Sequence, residues 1–569
     1  MESRGKKPSH PIYWTLGVIL LCIIWLAVTP IYSDDGDNYS MALVVNRMFT
    51  GEGQDVYVNY LNPLLCLIFQ VVLCVLPMAD CFTLSINLML LFAVGVIAYL
   101  IAVKSKNYYE LLGYYSVFLA VIILPDLFHY NFTAWAAFLS AAGMLVLLLL
   151  IHKKLEGKRW SGIALTLLAL GLMWRSEAFL IFVPFICLDI GIQVLFVGKT
   201  KEERKELLQH VIRVLAIPAF CLVVLGMLHV GVLHSGRYQE AKAYDDVRSA
   251  VLDYPLKRWH DIQEQIPEIS ENDYYTVLWW NLMDTDRIDT QFLFEMLEAG
   301  EKEIEEPIGL GYIWGMQKSV IRIFLSTKSL QYFTGIAIMM FGSIMLSKLK
   351  WYYKLQTVFA YVGTDLICLF FVYAGRALER VFILTIYALL ASLLVLLLAE
   401  TEHTRKGFHS LARIAVTAVG VFGVAYGVMH TEYAPEQSVF KAKNCDSHTY
   451  DLTYSDDELY FWDVFAYIDK PMEYFTQEGK LMPTEYMEHN IYNGSWTYGQ
   501  VYFEQFLEKI GAENPMTALL ERENTYYVSE EYLRELTYLQ ENYNENVIVE
   551  QVKEIEGVPV WKFSISEGE

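Results

Sequence analysis

The sequence predicts a polytopic α-helical membrane protein with a small α/β domain at its C-terminal end. Three observations carry that reading. The chain has 569 residues, 55% of them hydrophobic, with a mean hydropathy of +0.31. Apolar runs of about 18–22 residues recur along the first three quarters, enough to cross a hydrocarbon core of roughly 30 Å. Beyond residue 430 these runs stop, and an acidic, aromatic-rich stretch with mixed strand and helix patterns follows. A transmembrane barrel would instead need short alternating strands. Eight cysteines are scattered without paired spacing, so neither a disulfide framework nor a zinc site is indicated.

The apolar runs fall near residues 12–32, 60–77, 82–103, 112–124, 132–151, 161–174, 178–197, 211–234, 330–347, 355–374, 380–399 and 412–429. The first is too long for a cleaved signal sequence and lacks a small-residue cleavage site, so it reads as a retained helix. The second opens with Asn62-Pro63, an N-cap followed by a proline at the first helical position, and ends at Pro77.

Whether residues 60–77 cross the bilayer decides the threading. If they lie on the outer surface, the N-terminus and the loops at 104–106, 153–159, 199–213, 348–354 and 405–413 share the cytoplasmic side. Those segments hold 20 of the 43 Lys and Arg residues, as the positive-inside rule requires. The short outer loops then hold only Arg47, Arg175, Arg376 and Arg380. The expectation is about eleven transmembrane helices, with the N-terminus inside and the C-terminal part outside. Residues 1–429 form the membrane domain and 430–569 an extracytoplasmic α/β domain.

Two outer regions within this frame are acidic. Residues 235–329 have a charge balance of −8 and residues 430–569 one of −19. Such fields disfavour nucleic acid and anionic headgroups and suit a solvated surface. Residues 235–329 read as helical from "DTQFLFEMLEAG" and "IWGMQKSVIRIFL", and are expected to cap the outer face. In the C-terminal part, "ELYFWDVFAYI" and "NTYYVS" read as strands. "SEEYLRELTYLQENY" reads as a helix with a capping box at Ser529. "NVIVEQVKEI" and "VPVWKFSI" read as a closing hairpin through Glu556-Gly557.

The first outer loop, residues 33–78, begins "SDDGDNYSMALVV". Asp37 is a candidate N-cap, and Met41, Val44, Val45 and Met48 fall on one face of a helix expected to lie on the membrane. Asp34 and Asp35 remain. A carboxylate at a membrane surface can bind a cation, accept a proton from an attacking hydroxyl, or simply be solvated. Further candidates sit at the other outer turns. "LPDLFHYNF" carries Asp126 and His129, "LMWRSEAFL" carries Arg175 and Glu177, and "YAGRALERVF" carries Arg376 and Arg380. Arginine presents a flat fork of donors suited to phosphate. Arg376 and Arg380, four apart, share a face if their turn is helical. The plainer alternative is that these arginines snorkel or pair with Glu177 and Glu379, and that Arg47 touches headgroups.

The layout resembles the GT-C superfamily of integral-membrane glycosyltransferases, in particular protein O-mannosyltransferases and lipid A aminoarabinose transferases. Their first outer loop reads Asp-Glu-x-x-Tyr, followed by a surface helix and a proline-started second helix. Asp35-Gly36-Asp37-Asn38-Tyr39 keeps the Asp and Tyr spacing, Asn62-Pro63 keeps the second helix start, and Gly36 departs from the pattern. The resemblance implies a GT-C-like bundle with two juxtamembrane helices in a bacterial plasma membrane. It also implies inverting transfer of a sugar from a polyprenyl phosphate to an acceptor at the outer face. Asp35 would be general base, Asp34 the fallback, and Asp126 a second acid, with the first-loop Asp37 and Tyr39 near the substrate. His129, Arg175, Glu177, Arg376 and Arg380 would surround the sugar and the lipid phosphate. No cofactor is implied; Asp34, Asp35, Asp126 and His129 would be the ligands if a divalent metal were bound.

Competing readings are an oligosaccharide ligase or polymerase, a lipid or polysaccharide transporter, and a non-catalytic assembly protein. A transporter would show repeats and mid-membrane charges, whereas the ionisable residues here cluster at one face. No glycine-rich cradle for a nucleotide sugar is visible.

Overall fold

The computed structural model describes residues 8–29, 36–47, 55, 57–75, 81–125, 127–128, 131–301, 309–399, 408–431, 458–467, 489–492, 496–555 and 557–566. Among them eight helices are long and apolar enough to cross a membrane: Pro11–Val28, Cys81–Lys104, Phe132–Ile151, Ser176–Val197, Lys201–Leu233, Lys328–Leu346, Trp351–Tyr373 and Glu379–Ala399. The other three expected spans fall short by this measure. Tyr108–Ile123 has 16 residues and Lys158–Trp174 has 17. At 1.5 Å per residue each is about 25 Å long. The helix Phe408–His430 is described in full side-chain detail only from residue 417. Pro63–Val75 is described as a helix of 13 residues.

Phe132–Ile151 is the centre of the bundle. All twenty of its residues are buried, the environment that an all-apolar helix requires. Lys158–Trp174 returns along it so closely that a Cβ on Gly171 would sit 2.1 Å from Ser140 Oγ and 2.9 Å from the Ala136 carbonyl. Only glycine permits that approach. At its end Trp174 closes an aromatic cluster with Phe69, Phe82 and Trp135, at ring separations of 5.4–5.7 Å.

The loops assigned to the cytoplasmic side meet at one end of the bundle. Lys104 Nζ donates to the Lys154 carbonyl at 2.6 Å, and the His210 ring contacts the Leu150 carbonyl at 3.1 Å. A buried polar knot lies at that end. Asp189 Oδ1 is 3.0 Å from His152 Nε2 and accepts from Gln356 Nε2 at 2.7 Å. The loops assigned outward meet at the other end. There Asn62 caps the Pro63–Val75 helix, its backbone N–H donating to the Met173 carbonyl and its Nδ2 to the Leu225 carbonyl, both at 2.8 Å.

Two local expectations are corrected. The helix at Gly36–Val45 is not a surface helix with one apolar face. Met41, Ala42, Leu43, Val44 and Val45 are all buried, as are Asn38 and Ser40. It is a plug between other elements, and tight packing rather than water fixes which residues it presents. Arg47 does not reach outward to headgroups: its guanidinium donates to Gln70 Oε1 in the Pro63–Val75 helix.

Residues 235–301 are helical, as expected, with helices at Arg237–Asp253, Trp259–Ile262, Glu271–Leu278 and Thr290–Gly300; Leu310–Ser326 follows. The first of these, called here the cap helix, touches the membrane domain at the loop carrying Asp55 and Tyr60 and at Arg376. Glu271–Leu278 and the loop after it join the C-terminal domain. Asn281 Nδ2 donates to Glu535 Oε1 at 3.0 Å, Tyr538 Oη to Asp284 Oδ2 at 2.8 Å, and Asn514 Nδ2 to Asp286 Oδ2 at 2.6 Å.

The C-terminal domain is a five-stranded mixed sheet with β1 Leu459–Trp462, β2 Asn490–Tyr492, β3 Thr525–Val528, β4 Val547–Ile555 and β5 Val558–Ile565. The order is β2-β1-β3-β5-β4, with β1 parallel to both neighbours and the β4–β5 hairpin antiparallel. Val464–Tyr467, expected to extend the first strand, turns into a short helix after Asp463. The expected capping box at Ser529 does not form. The helix starts later, at Leu533, because the Ser529 hydroxyl donates to Asp463 Oδ2 instead.

Candidate functional site

Asp37 lies in the first turn of Gly36–Val45, where the helix dipole favours an acid. It is inside the helix rather than capping it. Arg380 Nη1 approaches its Oδ2 at 3.9 Å, both side chains being partly open to solvent. Arg380 belongs to the Glu379–Ala399 helix, but Arg376 does not. Gly375, at φ +77°, turns the chain before it, and a Cβ there would strike Pro255 at 2.9 Å. The expectation that Arg376 and Arg380 share a helix face therefore fails. They diverge to different carboxylates. Arg376 Nη2 donates to Asp253 Oδ2 at 2.6 Å, with its guanidinium 5.5 Å from the Tyr254 ring centre. Glu379 is taken by the Ser329 hydroxyl.

Arg175 is held in extended backbone between Lys158–Trp174 and Ser176–Leu180. Its Nη1 donates to Thr133 Oγ1 at 2.6 Å, and its guanidinium lies over Phe132 at 4.8 Å and Tyr60 at 5.8 Å. Glu177 is a looser partner at 3.8 Å, with its side chain 72% exposed. Asn38 Oδ1 accepts from the Phe132 N–H at 3.1 Å, which ties the Asp37 helix to the start of the central helix.

Tyr60, missed from sequence, is the hub. It is packed against Phe132 and Trp496. Its hydroxyl donates to Asp245 Oδ1 at 3.3 Å and accepts from Arg248 Nη2 at 3.1 Å. Burial, with Asp245 adding, pushes its ionisation well above the usual tyrosine range, while Arg248 and Arg175 pull weakly the other way and Asp37 adds to the rise. It stays neutral and works as a hydrogen-bond relay. Asp245 and Arg248 form a buried pair on the cap helix, with Nη2 to Oδ1 at 2.7 Å. At the start of that helix Arg237 Nη2 donates to Asp55 Oδ2 at 2.8 Å, and Tyr238 donates to the same oxygen. The i, i+3 spacing of Asp245 and Arg248 in "AYDDVRSAV" is the one sequence signal that could have found this pair. Asp253 and Thr133 carry none.

Asp34, Asp35, Asp126 and His129 lie outside the described residues, as does the side chain of Tyr39. Of the neighbouring described residues, Leu127 and Phe128 are buried, and Trp135 Nε1 donates to the Leu127 carbonyl at 2.8 Å. Among the described residues no three His, Cys, Asp or Glu side chains gather as a metal site requires.

No protein-family model matches the chain, and no curated protein matches it. Among solved structures it is similar to the crystal structure of ArnT from Cupriavidus metallidurans bound to undecaprenyl phosphate. The TM-score is 0.49 at 10% identity, over 97% of this chain and 98% of that one. A likeness of that degree carries no functional argument.

Proposed function

We propose that the protein is a membrane glycosyltransferase that moves a sugar from a polyprenyl phosphate to an acceptor at the outer face, with inversion. What supports this reading is that Arg380 approaches Asp37, that the Asp37 helix and Arg175 both bond to the start of the central helix, and that Arg376 turns to Asp253 of the cap helix at the same end. Two of the contacts there, Arg380 to Asp37 at 3.9 Å and Arg175 to Glu177 at 3.8 Å, are long and partly solvated. A guanidinium partly open to solvent presents donors to a phosphate, which offers short charge-assisted bonds.

On this reading Asp35, with Asp34 as fallback, removes the proton from the acceptor hydroxyl as it attacks the anomeric carbon. The bond from that carbon to the phosphate oxygen breaks, and Arg380, Arg376 and Arg175 stabilise the charge that develops on the departing lipid phosphate. Asp126 and His129 are assigned to the sugar or a second proton, and Glu177 and Tyr39 to the donor. Undecaprenyl phosphate in a bacterial plasma membrane is the carrier and location that fit.

The test uses the full chain in lipid nanodiscs, following sugar transfer and undecaprenyl-phosphate binding separately. Asp35→Asn should lower turnover by about 10²–10⁴-fold with lipid binding retained. Arg380→Ala should weaken lipid binding by about tenfold or more, since a charged hydrogen bond contributes about 1.5–3 kcal/mol. Failure of the unmodified protein to bind the lipid, or near-normal turnover in both Asp34→Asn and Asp35→Asn, would overturn the reading.

A further inference from the structure

Leu310–Ser326 presents an apolar stripe to the outside of the protein. At about 100° per residue, Leu310, Trp314, Ile321 and Leu325 fall within about 60° of one another, and Lys318 and Arg322 follow on the next strip round. A helix packed as part of a solvated cap would turn such a stripe inward. Here all four apolar residues are exposed, Leu310 by 88%, and Val320, on another face, is the single buried residue of the helix. Lys318 and Arg322 are exposed as well. Among the described residues neither has an acidic partner; Lys318 Nζ lies instead 5.8 Å from the Trp314 ring centre.

Two contacts fix the depth of this helix. Gln317 Nε2 donates to Asp365 Oδ1 at 2.9 Å, and Asp365 belongs to the span Trp351–Tyr373, about 12 Å along it from the end at Tyr373. Half of a hydrocarbon core is about 15 Å thick. Toward the other end of the helix, Phe324 meets Phe382 edge-on at 5.6 Å, in the first turn of Glu379–Ala399. The helix therefore runs from the level of Arg380 down beside the span, and it does not lie over the outer face with Arg237–Asp253. Leu366, next to Asp365, and Phe370, one turn beyond it, are exposed on the same span. The stripe thus borders a surface that only acyl chains can cover.

We propose that Leu310–Ser326 is a phospholipid-binding helix seated in the outer leaflet. Leu310, Trp314, Ile321 and Leu325 enter the acyl chains, and Lys318 and Arg322 take the phosphodiester of an anionic headgroup. The stripe alone would suit a neutral lipid equally; two cations one turn apart, without an acidic partner, add the complementarity that selects an anionic one. Their long stems reach from the edge of the stripe to headgroup level, and Trp314 lies at the boundary that its ring favours. Gln317 meets the Asp365 carboxylate, which would otherwise face lipid unpaired. This surface takes no part in sugar transfer and stands whether or not the chain is a transferase.

The test places the photo-crosslinker p-benzoylphenylalanine at Trp314 or at Ile321 of the full chain, in nanodiscs of equal parts phosphatidylcholine and phosphatidylglycerol. Mass spectrometry then identifies the adducts. Both positions should capture phospholipid, with phosphatidylglycerol enriched about fivefold over phosphatidylcholine. Lys318→Gln combined with Arg322→Gln, both exposed changes, should bring that ratio to about one with capture retained. Added undecaprenyl phosphate should leave the adducts unchanged. Absence of lipid adducts, capture of a second copy of the chain in their place, an unaltered ratio in the double variant, or displacement by undecaprenyl phosphate would each overturn the proposal.

Discussion

Truncating Arg248 to alanine should detach the cap helix from the membrane domain, and the size of the effect follows from what the guanidinium holds. It donates Nε at 3.1 Å and Nη2 at 2.7 Å to Asp245 Oδ1, and Nη2 at 3.1 Å to Tyr60 Oη. The two charged side chains are only 3% and 7% exposed, so water cannot replace the lost partner. Arg248→Ala leaves a buried, unpaired carboxylate, at a cost of about 3–5 kcal/mol. Arg248→Met combined with Asp245→Leu removes both charges while keeping volume but leaves the Tyr60 hydroxyl without either partner, and should cost about 1–3 kcal/mol. The pair thus couples by several kcal/mol in a double-mutant cycle. Unfolding of the full chain in nanodiscs gives the energies, and hydrogen exchange at the amides of Arg237–Asp253 reports whether the loss is local to the cap. If the single variant loses less than about 1 kcal/mol, or the double variant loses the sum of both single changes, then the pair does not hold the cap and the argument fails.

Two further outcomes are expected. Because the Asp463 carboxyl is raised by burial and by Glu535, the folded chain keeps a proton that the unfolded chain releases near pH 3.9; the resulting stability is full below about that pH and lost as pH rises through the raised value. Asp463→Asn should therefore flatten the fall in melting temperature as pH rises above about 4, and equal slopes would refute it. Gly171→Ala should cost about 1–3 kcal/mol, because its methyl would meet Ser140 and the Ala136 carbonyl, and should weaken lipid-phosphate binding by moving Arg175 off Thr133. Unchanged unfolding and unchanged binding would show that the helix pair is looser than described.

The spans were legible because an 18-residue apolar stretch has few fates, and Asn62-Pro63 announced its own helix through local chemistry. The helix at Gly36–Val45 was misread because its one-sided pattern of methionine and valine says nothing about Ala42 and Leu43, which are buried as well. Ser529 fitted a capping pattern, yet its hydroxyl was claimed by Asp463, 66 residues earlier. The arginines at 376 and 380 looked like a helical pair because spacing cannot reveal that Gly375 turns the chain between helices. Their partners Asp253 and Asp37 lie far off in sequence, as Asp245 and Arg248 lie from Tyr60. Pairings of that kind are decided by tertiary placement, and no local pattern encodes them.

The knot of His152, Asp189 and Gln356 constrains how the chain can be made. Asp189 enters the bilayer on its own segment with His152 already synthesised 37 residues earlier, whereas Gln356 follows 167 residues later. At about 5–20 residues per second, the carboxylate waits roughly ten to thirty seconds for its second donor. An acid at the centre of a span adds about 2.5–3.5 kcal/mol to the work of insertion, and less toward the end of the bundle where Asp189 lies. His152 is then the donor present when Asp189 inserts, and the segment Trp351–Tyr373, arriving later, finds a waiting acceptor that favours its place among the helices already in the lipid.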